Sequence, residues 1–341
     1  MTFGLWYDFR NPEQWRESSF TTFYARILEQ ISWAESLGYG SVWLTEHHFC
    51  DDGYTPSPFV LAGAIGARTT TLRIGTNLVQ LPLADPIRVA EDAATLSLLT
   101  GGRFDLGVGA GYRQLEFKAF GRSLRNRPSL MEEGIAIIRG AWSGERLDFR
   151  GKRFTYRDIT VQPVPEDRPH VYMGGLSEPA IARAAAIADG FLSTGGIGHD
   201  LYLAALADQG KAASDGVICA GHWAIVDEDP ERARRELAPH ALYQTNQYIS
   251  WGVFGPPDQV PQFSDGETAL EQGLYEIWDA DTAVEELTRL LEGCPQIRDV
   301  HFWAFFPGEP LDKGARRIEY MASKVLPRVR ERLQIRERSA H

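Results

Sequence analysis

Eight short apolar runs alternate with stretches of helical periodicity along the whole chain, and this alternation constrains the fold more than any other feature. The runs fall at residues 3–7, 40–44, 72–77, 103–109, 170–175, 190–193, 217–219 or 223–226, and 299–306. Between them, apolar residues recur every three or four positions, as a half-buried helix requires. Ile27, Ile31, Ala34 and Leu37 make one such face, and Met131, Ile135, Ile138 and Trp142 make another. Helices are also expected over 57–68, from Asp85-Pro86 through Leu98, over 178–188 and over 230–243. Two more run through Val284, Leu287 and Leu291, and from Ile318 to Val329. Strands that alternate with helices form parallel sheets, and eight such units predict an α/β fold of the (β/α)8 TIM-barrel type. An open doubly wound sheet is the alternative, but it would place a glycine fingerprint after the first strand, and none stands there. Two segments break the rhythm. Residues 144–168 read as an excursion with a hairpin around Gly151 after the fourth unit. Residues 245–276, rich in Gly, Pro, Gln and aromatics, read as a long loop and possible lid before the last strand. The whole chain, 1–341, reads as a single barrel domain.

Composition excludes several classes. A net charge of -11 argues against nucleic-acid binding, which calls for a basic face. Cys50, Cys219 and Cys294 are scattered and odd in number, which suits a reducing compartment without a disulfide framework. No signal-peptide pattern opens the chain, and no apolar stretch approaches the roughly 20 residues that span a membrane. A cytoplasmic location is expected.

Chemistry in parallel α/β folds gathers where strands end. The second run ends in Glu46-His47-His48-Phe49, a carboxylate and two imidazoles in a place where polar groups need partners. A hydrogen-bonded structural histidine pair would use the same residues. Adjacent strand residues point to opposite faces, so His47 and His48 are not expected to share a metal ion. No catalytic metal is expected, and Cys50 reads as a spectator thiol. Gly107-Val108-Gly109-Ala110-Gly111 follows the fourth strand and lacks the context of a dinucleotide fingerprint. Its missing side chains leave room for a flat ligand or for tight packing of a barrel turn. Gly174-Gly175 before Ser177 and Pro179 makes a capped helix start, where free N–H groups can hold a phosphate. Arg127 could supply a counter-charge there, or could be an ordinary surface arginine.

Taken in order, these stretches resemble the bacterial-luciferase-like family of flavin-dependent monooxygenases. The resemblance is carried by Trp43-Leu44-Thr45-Glu46-His47-His48-Phe49, Ile74-Gly75-Thr76-Asn77, the run from Leu81 to Asp92, Gly101 to Gly109, and Gly174-Gly175 before Ser177. It implies reduced FMN at the C-terminal mouth of the barrel, supplied by a separate NAD(P)H:flavin reductase. O2 would form a flavin C4a-(hydro)peroxide that oxidises a small organic substrate. His47 matches the family's catalytic histidine, a proton donor or acceptor suited by an imidazole pKa near neutrality. Glu46 would orient one of the histidines. Thr76 and Asn77 match the strand end beneath the flavin, often with a non-proline cis peptide. Gly109, Tyr112, Arg127, Gly174, Gly175 and Ser177 complete the expected cofactor contacts. Gly109 and Ala110 stand where the luciferase catalytic chain has a cysteine and a phosphate-binding arginine. Phosphate would then rest on Ser177, backbone N–H groups and Arg127. The resemblance also implies a homodimer.

Substrate choice is expected to lie with Trp6, Tyr7, Phe49, Trp303, Phe305, Phe306 and the loop at 245–276, where Trp251 and Phe254 could close over the flavin. Such aromatics suit an apolar or aromatic substrate. Two other functions fit the same barrel: deazaflavin-dependent hydride transfer, and a non-catalytic flavin-binding subunit.

Overall fold

The computed structural model describes residues 1–273 and 275–339. Its eight principal strands are Thr2–Tyr7, Ser41–Leu44, Arg73–Thr76, Phe104–Gly109, Val171–Gly174, Gly190–Thr194, Ile218–His222 and Ile297–Trp303. All pair in parallel with their neighbours in chain order, and the eighth closes on the first from Thr2↔Asp299 to Trp6↔Trp303. The sheet is therefore the (β/α)8 barrel that the alternation predicts. A two-residue strand, Val79–Gln80, extends the third position beyond Leu78 and pairs with the fourth strand.

Period-two alternation sorts each strand's side chains. Phe3, Leu5 and Tyr7 face the helices and join the main core, while Trp6 joins a second, aromatic cluster. Gly4 separates them because a Cβ there would lie 2.0 Å from the Ser41 hydroxyl. The first helix, Phe20–Ser36, is capped by Ser19, whose oxygen accepts from the Thr22 N–H, and it buries Phe23, Ile27, Ile31 and Ala34. Each large apolar side chain so buried contributes about 1.5–3 kcal/mol. Helix Pro86–Thr100 starts at Asp85, which accepts from Ile87 and Arg88, and stops at Gly101 with φ +63°.

The structure decides between the two candidates for the seventh strand and differs from the sequence reading in several helices. The seventh barrel strand is Ile218–His222, whereas Ala224–Val226 pairs outside the barrel with Glu276–Trp278. The helix expected over 230–243 runs from Pro230 to Trp251, through Pro239. Its buried face, Ala233, Leu237, Ala241 and Tyr248, continues at helical spacing past Tyr243, and burial outweighs the weak local propensity. Gly252, at φ +89°, ends it. The long loop is therefore partly ordered: Thr245–Trp251 belong to that helix, and Gly266–Gln272 form another. Leu274, within the expected lid, lies outside the described residues. Helices Gln114–Ala119 and His199–Asp208 were not signalled by apolar spacing, and the first of them carries part of the site. The excursion holds the expected hairpin, Leu147–Arg150 with Thr155–Ile159. Its turn is tied down by Glu133, whose carboxylate accepts from the N–H groups of Lys152, Arg153 and Phe154.

Candidate active site

The loop after the second strand carries Glu46, His47 and His48 to the C-terminal mouth of the barrel. It is pinned to the loop after the first strand through Thr55, whose N–H and hydroxyl both donate to the Asp8 carbonyl, while the His47 N–H donates to the Thr55 carbonyl. His47 is buried. Its Nδ1 lies 2.9 Å from Glu116 Oε1, and its Nε2 lies 2.8 Å from the Tyr112 hydroxyl. Glu116 Oε1 also accepts from the His48 backbone N–H at 2.8 Å. Burial alone would raise the Glu116 carboxyl, but the hydrogen bonds from the His47 ring, the His48 N–H and Gln80 outweigh it and hold the group below its usual range. Burial, with the neighbouring Tyr248 and Glu116, pushes the Tyr112 phenol well above its usual value. At neutral pH the carboxylate accepts and the phenol donates. A neutral His47 then carries its proton on Nδ1 and accepts from Tyr112 at Nε2.

The carboxylate on His47 is thus Glu116, not Glu46. Glu46 Oε1 stands 3.4 Å from His48 Nε2, and its Oε2 accepts from the Gln80 N–H at 2.5 Å. The sequence did not single out Glu116, because it lies 69 positions from His47 on a six-residue helix with no apolar periodicity. Arg113, on the same segment, donates to the His48 carbonyl and to Cys50 Sγ, and places its guanidinium 4.7 Å from the Trp251 ring. Burial pushes the Cys50 thiol up to about 12 against the pull of Arg113, so the sulfur stays protonated at neutral pH.

The other expected contacts divide. The Thr76 hydroxyl is spent within the barrel, donating to the Gly107 carbonyl at 2.7 Å and accepting from the Gly107 N–H at 2.9 Å. Gly107 must lack a side chain, since a Cβ would fall 1.8 Å from the Thr76 carbonyl oxygen. The Asn77–Leu78 peptide bond is cis. Leu78 fills the space beside Gly109 and Gly174, where a Cβ would meet its side chain at 2.5 and 2.7 Å. Neither position can carry a side chain without displacing Leu78. Asn77 Nδ2 lies 2.9 Å from His301 Nε2, and His301 Nδ1 lies 2.9 Å from Asp299 Oδ1. Arg127 donates to the carbonyls of Gly111 and Leu124 and so joins two loops. Gly175 packs on Ala180. Ser177 caps helix Glu178–Ile187 by position, but its hydroxyl makes no capping bond.

The mouth above these groups is aromatic. The His47 ring lies 4.8 Å from Tyr54 and 4.9 Å from Trp251. Trp251 touches Tyr248, Tyr248 touches Trp223, and Trp223 meets the stacked pair Trp6 and Trp303. Phe306 belongs to this cluster, but Tyr7 and Phe305 point the other way, into the core beneath the helices. Phe49 and Phe254 are exposed.

A cleft of about 530 Å³ opens beside the mouth between Gly196, His199, His222, Glu276 and Glu286. Burial, with the charge of the neighbouring His199, depresses the His222 imidazole from 6.5 to about 4. The folded chain therefore disfavours a proton that the unfolded chain accepts, and stability falls as pH drops from about 6.5 toward 4. The expected loss is on the order of 3 kcal/mol. Urea unfolding of the unaltered chain and of His222→Gln at pH 7.5 and 4.5 checks this. The variant should lose distinctly less stability between the two pH values, and equal losses would refute the assignment.

The profile of the family described as luciferase-like monooxygenase matches residues 1–286. The F420-dependent glucose-6-phosphate dehydrogenase of Kineococcus radiotolerans is 32% identical over 299 residues, covering 81% of this chain and 85% of that protein. The chain spans only 57% of the enzyme of the same name from Microbacterium testaceum, at 33% identity, and 49% of the uncharacterized protein y4vJ of Sinorhizobium fredii, at 28%. Among solved structures, monooxygenase RslO1 from Streptomyces bottropensis superposes with a TM-score of 0.82 at 21% identity, over 96% of this chain and 99% of that one. The oxygenating constituent of 3,6-diketocamphane monooxygenase from Pseudomonas putida, in complex with FMN, gives 0.75 at 17%, over 96% and 98%. At these identities the superpositions show the shared fold.

Proposed function

The chain belongs to the luciferase-like monooxygenase family, and from that premise we propose that it is a monooxygenase using reduced FMN and O2 to oxidise a small apolar or aromatic substrate. That it is an oxidoreductase follows from the family. The observation that carries the finer reading is the Tyr112–His47–Glu116 chain of hydrogen bonds opening onto an aromatic mouth.

The residues present fit the cofactor. The Ser177 hydroxyl is free of a capping bond at the start of a ten-residue helix, and Gly195 and Gly196, both at positive φ, have open space where a Cβ would stand. These groups would hold the FMN phosphate. Glu116 Oε2 and Gln80 Oε1 are buried acceptors without partners among the described residues, available to ring N–H groups. Bound reduced FMN supplies two electrons, so that one oxygen atom of O2 enters the substrate and the other leaves as water. The protein's part is to place and move a proton. Glu116 fixes the ring of His47 through Nδ1. Nε2 accepts the hydrogen bond of the Tyr112 hydroxyl, which stays protonated, and the aromatic mouth keeps bulk water away. A separate NAD(P)H:flavin reductase completes the proposal, as do a cytoplasmic location, a homodimer and a single barrel domain.

The curated relatives favour a second reading, hydride transfer with deazaflavin F420. The mouth argues against a sugar phosphate as its substrate. Arg10 already faces Asp8 and Asp52, and Arg113 is spent on the His48 carbonyl, Cys50 and Trp251. Anaerobic titration with reduced FMN and with reduced F420, followed by rapid mixing with oxygenated buffer, separates the readings. Binding of reduced FMN and a transient absorbance before full reoxidation are expected. Binding of F420 alone would overturn the FMN reading.

A further inference from the structure

The aromatic mouth holds a surplus of one kind of hydrogen-bonding group. Trp6 Nε1, Trp223 Nε1, Trp303 Nε1 and Arg10 Nη2 have no acceptor among the described residues. All four side chains are more than nine-tenths buried. Buried donors are almost always satisfied, and leaving one unpaired is costly, so these four call for an explanation. The hydroxyls around them are already paired: Tyr54 with Tyr248 at 3.2 Å, and Tyr275 with Thr245 at 3.1 Å and with Gln244 Oε1 at 3.1 Å.

The three indoles pack together. Trp6 and Trp303 are parallel within 8° at 4.3 Å, and Trp223 stands at 86° and 79° to them. Three indoles thus form a right-angled corner of flat surfaces. Tyr248 links the corner to Trp251 and so to His47, and the Arg10 guanidinium lies 5.5 Å from the Tyr248 ring. Charge decides which acceptor suits the corner. Asp8 Oδ2 lies 2.8 Å from Arg10 and Asp52 Oδ2 lies 3.8 Å away, so two carboxylates face one guanidinium. No net positive charge remains to hold a carboxylate or a phosphate. A carbonyl oxygen accepts the same hydrogen bonds without bringing a charge.

Resting on the oxidoreductase reading of this site, we propose that its substrate is a neutral, flat, conjugated ketone whose carbonyl oxygens accept from the indole N–H groups of the mouth. Flat rings stack on the corner, and the carbonyls satisfy donors that a hydrocarbon would leave unpaired. A site built around polar groups rejects the analogue that lacks their partner.

Equilibrium binding to the full chain, read by tryptophan fluorescence and calorimetry, tests this with four probes: 1-tetralone, tetralin, 1-naphthoate and glucose 6-phosphate. Each is measured without cofactor and with saturating oxidised FMN. Tetralone is expected to bind about tenfold tighter than tetralin, the scale of one hydrogen bond to an otherwise stranded donor, under both conditions. Trp223→Phe and Trp303→Phe keep a ring and delete the N–H, and each should narrow that ratio about threefold. Circular dichroism checks their folding, and if either fails to fold, the probe series on the unaltered chain still decides. Equal affinity for tetralone and tetralin overturns the proposal, as does tighter binding of naphthoate or the sugar phosphate. Loss of the ketone preference in the presence of FMN also overturns it, because the donors would then serve the cofactor's own carbonyls. A persistent ketone preference in a chain that binds no FMN supports the proposal and overturns only the cofactor reading.

Discussion

Alanine in place of His47 is expected to lower turnover about 10²–10⁴-fold, the usual contribution of a positioned acid–base group, while cofactor affinity changes little. The reasoning runs through both ring nitrogens. Nδ1 is held by a carboxylate that its hydrogen bonds keep ionised, and Nε2 meets a phenol that burial keeps protonated. Removing the imidazole leaves Glu116 and Tyr112 without their shared partner. Glu116→Gln should act through His47, because a neutral amide oxygen holds the ring more weakly than the carboxylate does. About 10–10²-fold of kcat should be lost with KM little changed, a split that a merely structural role would not produce. The measurement is steady-state turnover of whichever substrate the unaltered chain oxidises, alongside flavin titration of both variants. Full turnover by His47→Ala would remove the histidine from the mechanism and support a flavin-binding subunit instead.

Asp299→Ala should destabilise the fold by about 3–5 kcal/mol, because it deletes the acceptor from a buried polar network and strands its donors. Asp299 Oδ1 accepts from Trp43 Nε1 at 2.8 Å and faces His301 Nδ1 at 2.9 Å, while Oδ2 accepts from the hydroxyls of Ser41 at 2.5 Å and Thr2 at 2.6 Å. These contacts join the first, second and eighth strands at the closure of the barrel. Through His301 the network reaches Asn77 at the site. Asp299→Asn, which keeps one carbonyl oxygen, should cost distinctly less. Urea unfolding of both variants tests this, and a loss under about 1 kcal/mol for Asp299→Ala would show that the network is dispensable.

Glu116 shows why the site was only half legible in the sequence. His47 and Tyr112 could be marked from local motifs, since each lies just beyond a strand end where chemistry gathers. Glu116 lies in no motif, and it reaches His47 only because the segments after the second and fourth strands converge over the barrel. Thr76, Gly109 and Gly174 were marked for the cofactor, yet their nearest neighbours are Gly107 and Leu78. A strand end that packs tightly and one that receives a ligand have the same local signature. Tyr7 and Phe305, expected at the mouth with Trp6, Trp303 and Phe306, instead join the main core, Tyr7 on the face of its strand opposite Trp6 and Phe305 in the bend beyond the end of the eighth strand.

The alternation of apolar runs and helical faces determined the barrel by itself, because burying eight half-apolar helices against eight strands has few solutions. The sequence also determined the helix caps at Ser19 and Asp85, since capping depends on residues within one turn. Tertiary structure decided which carboxylate holds His47, carried the helix on to Trp251 and brought four unpaired donors among the described residues close to the aromatic cluster. These outcomes rest on contacts between residues far apart in the chain. Their energies come from burial and from hydrogen bonds across the closed barrel, and neither is written in a local pattern.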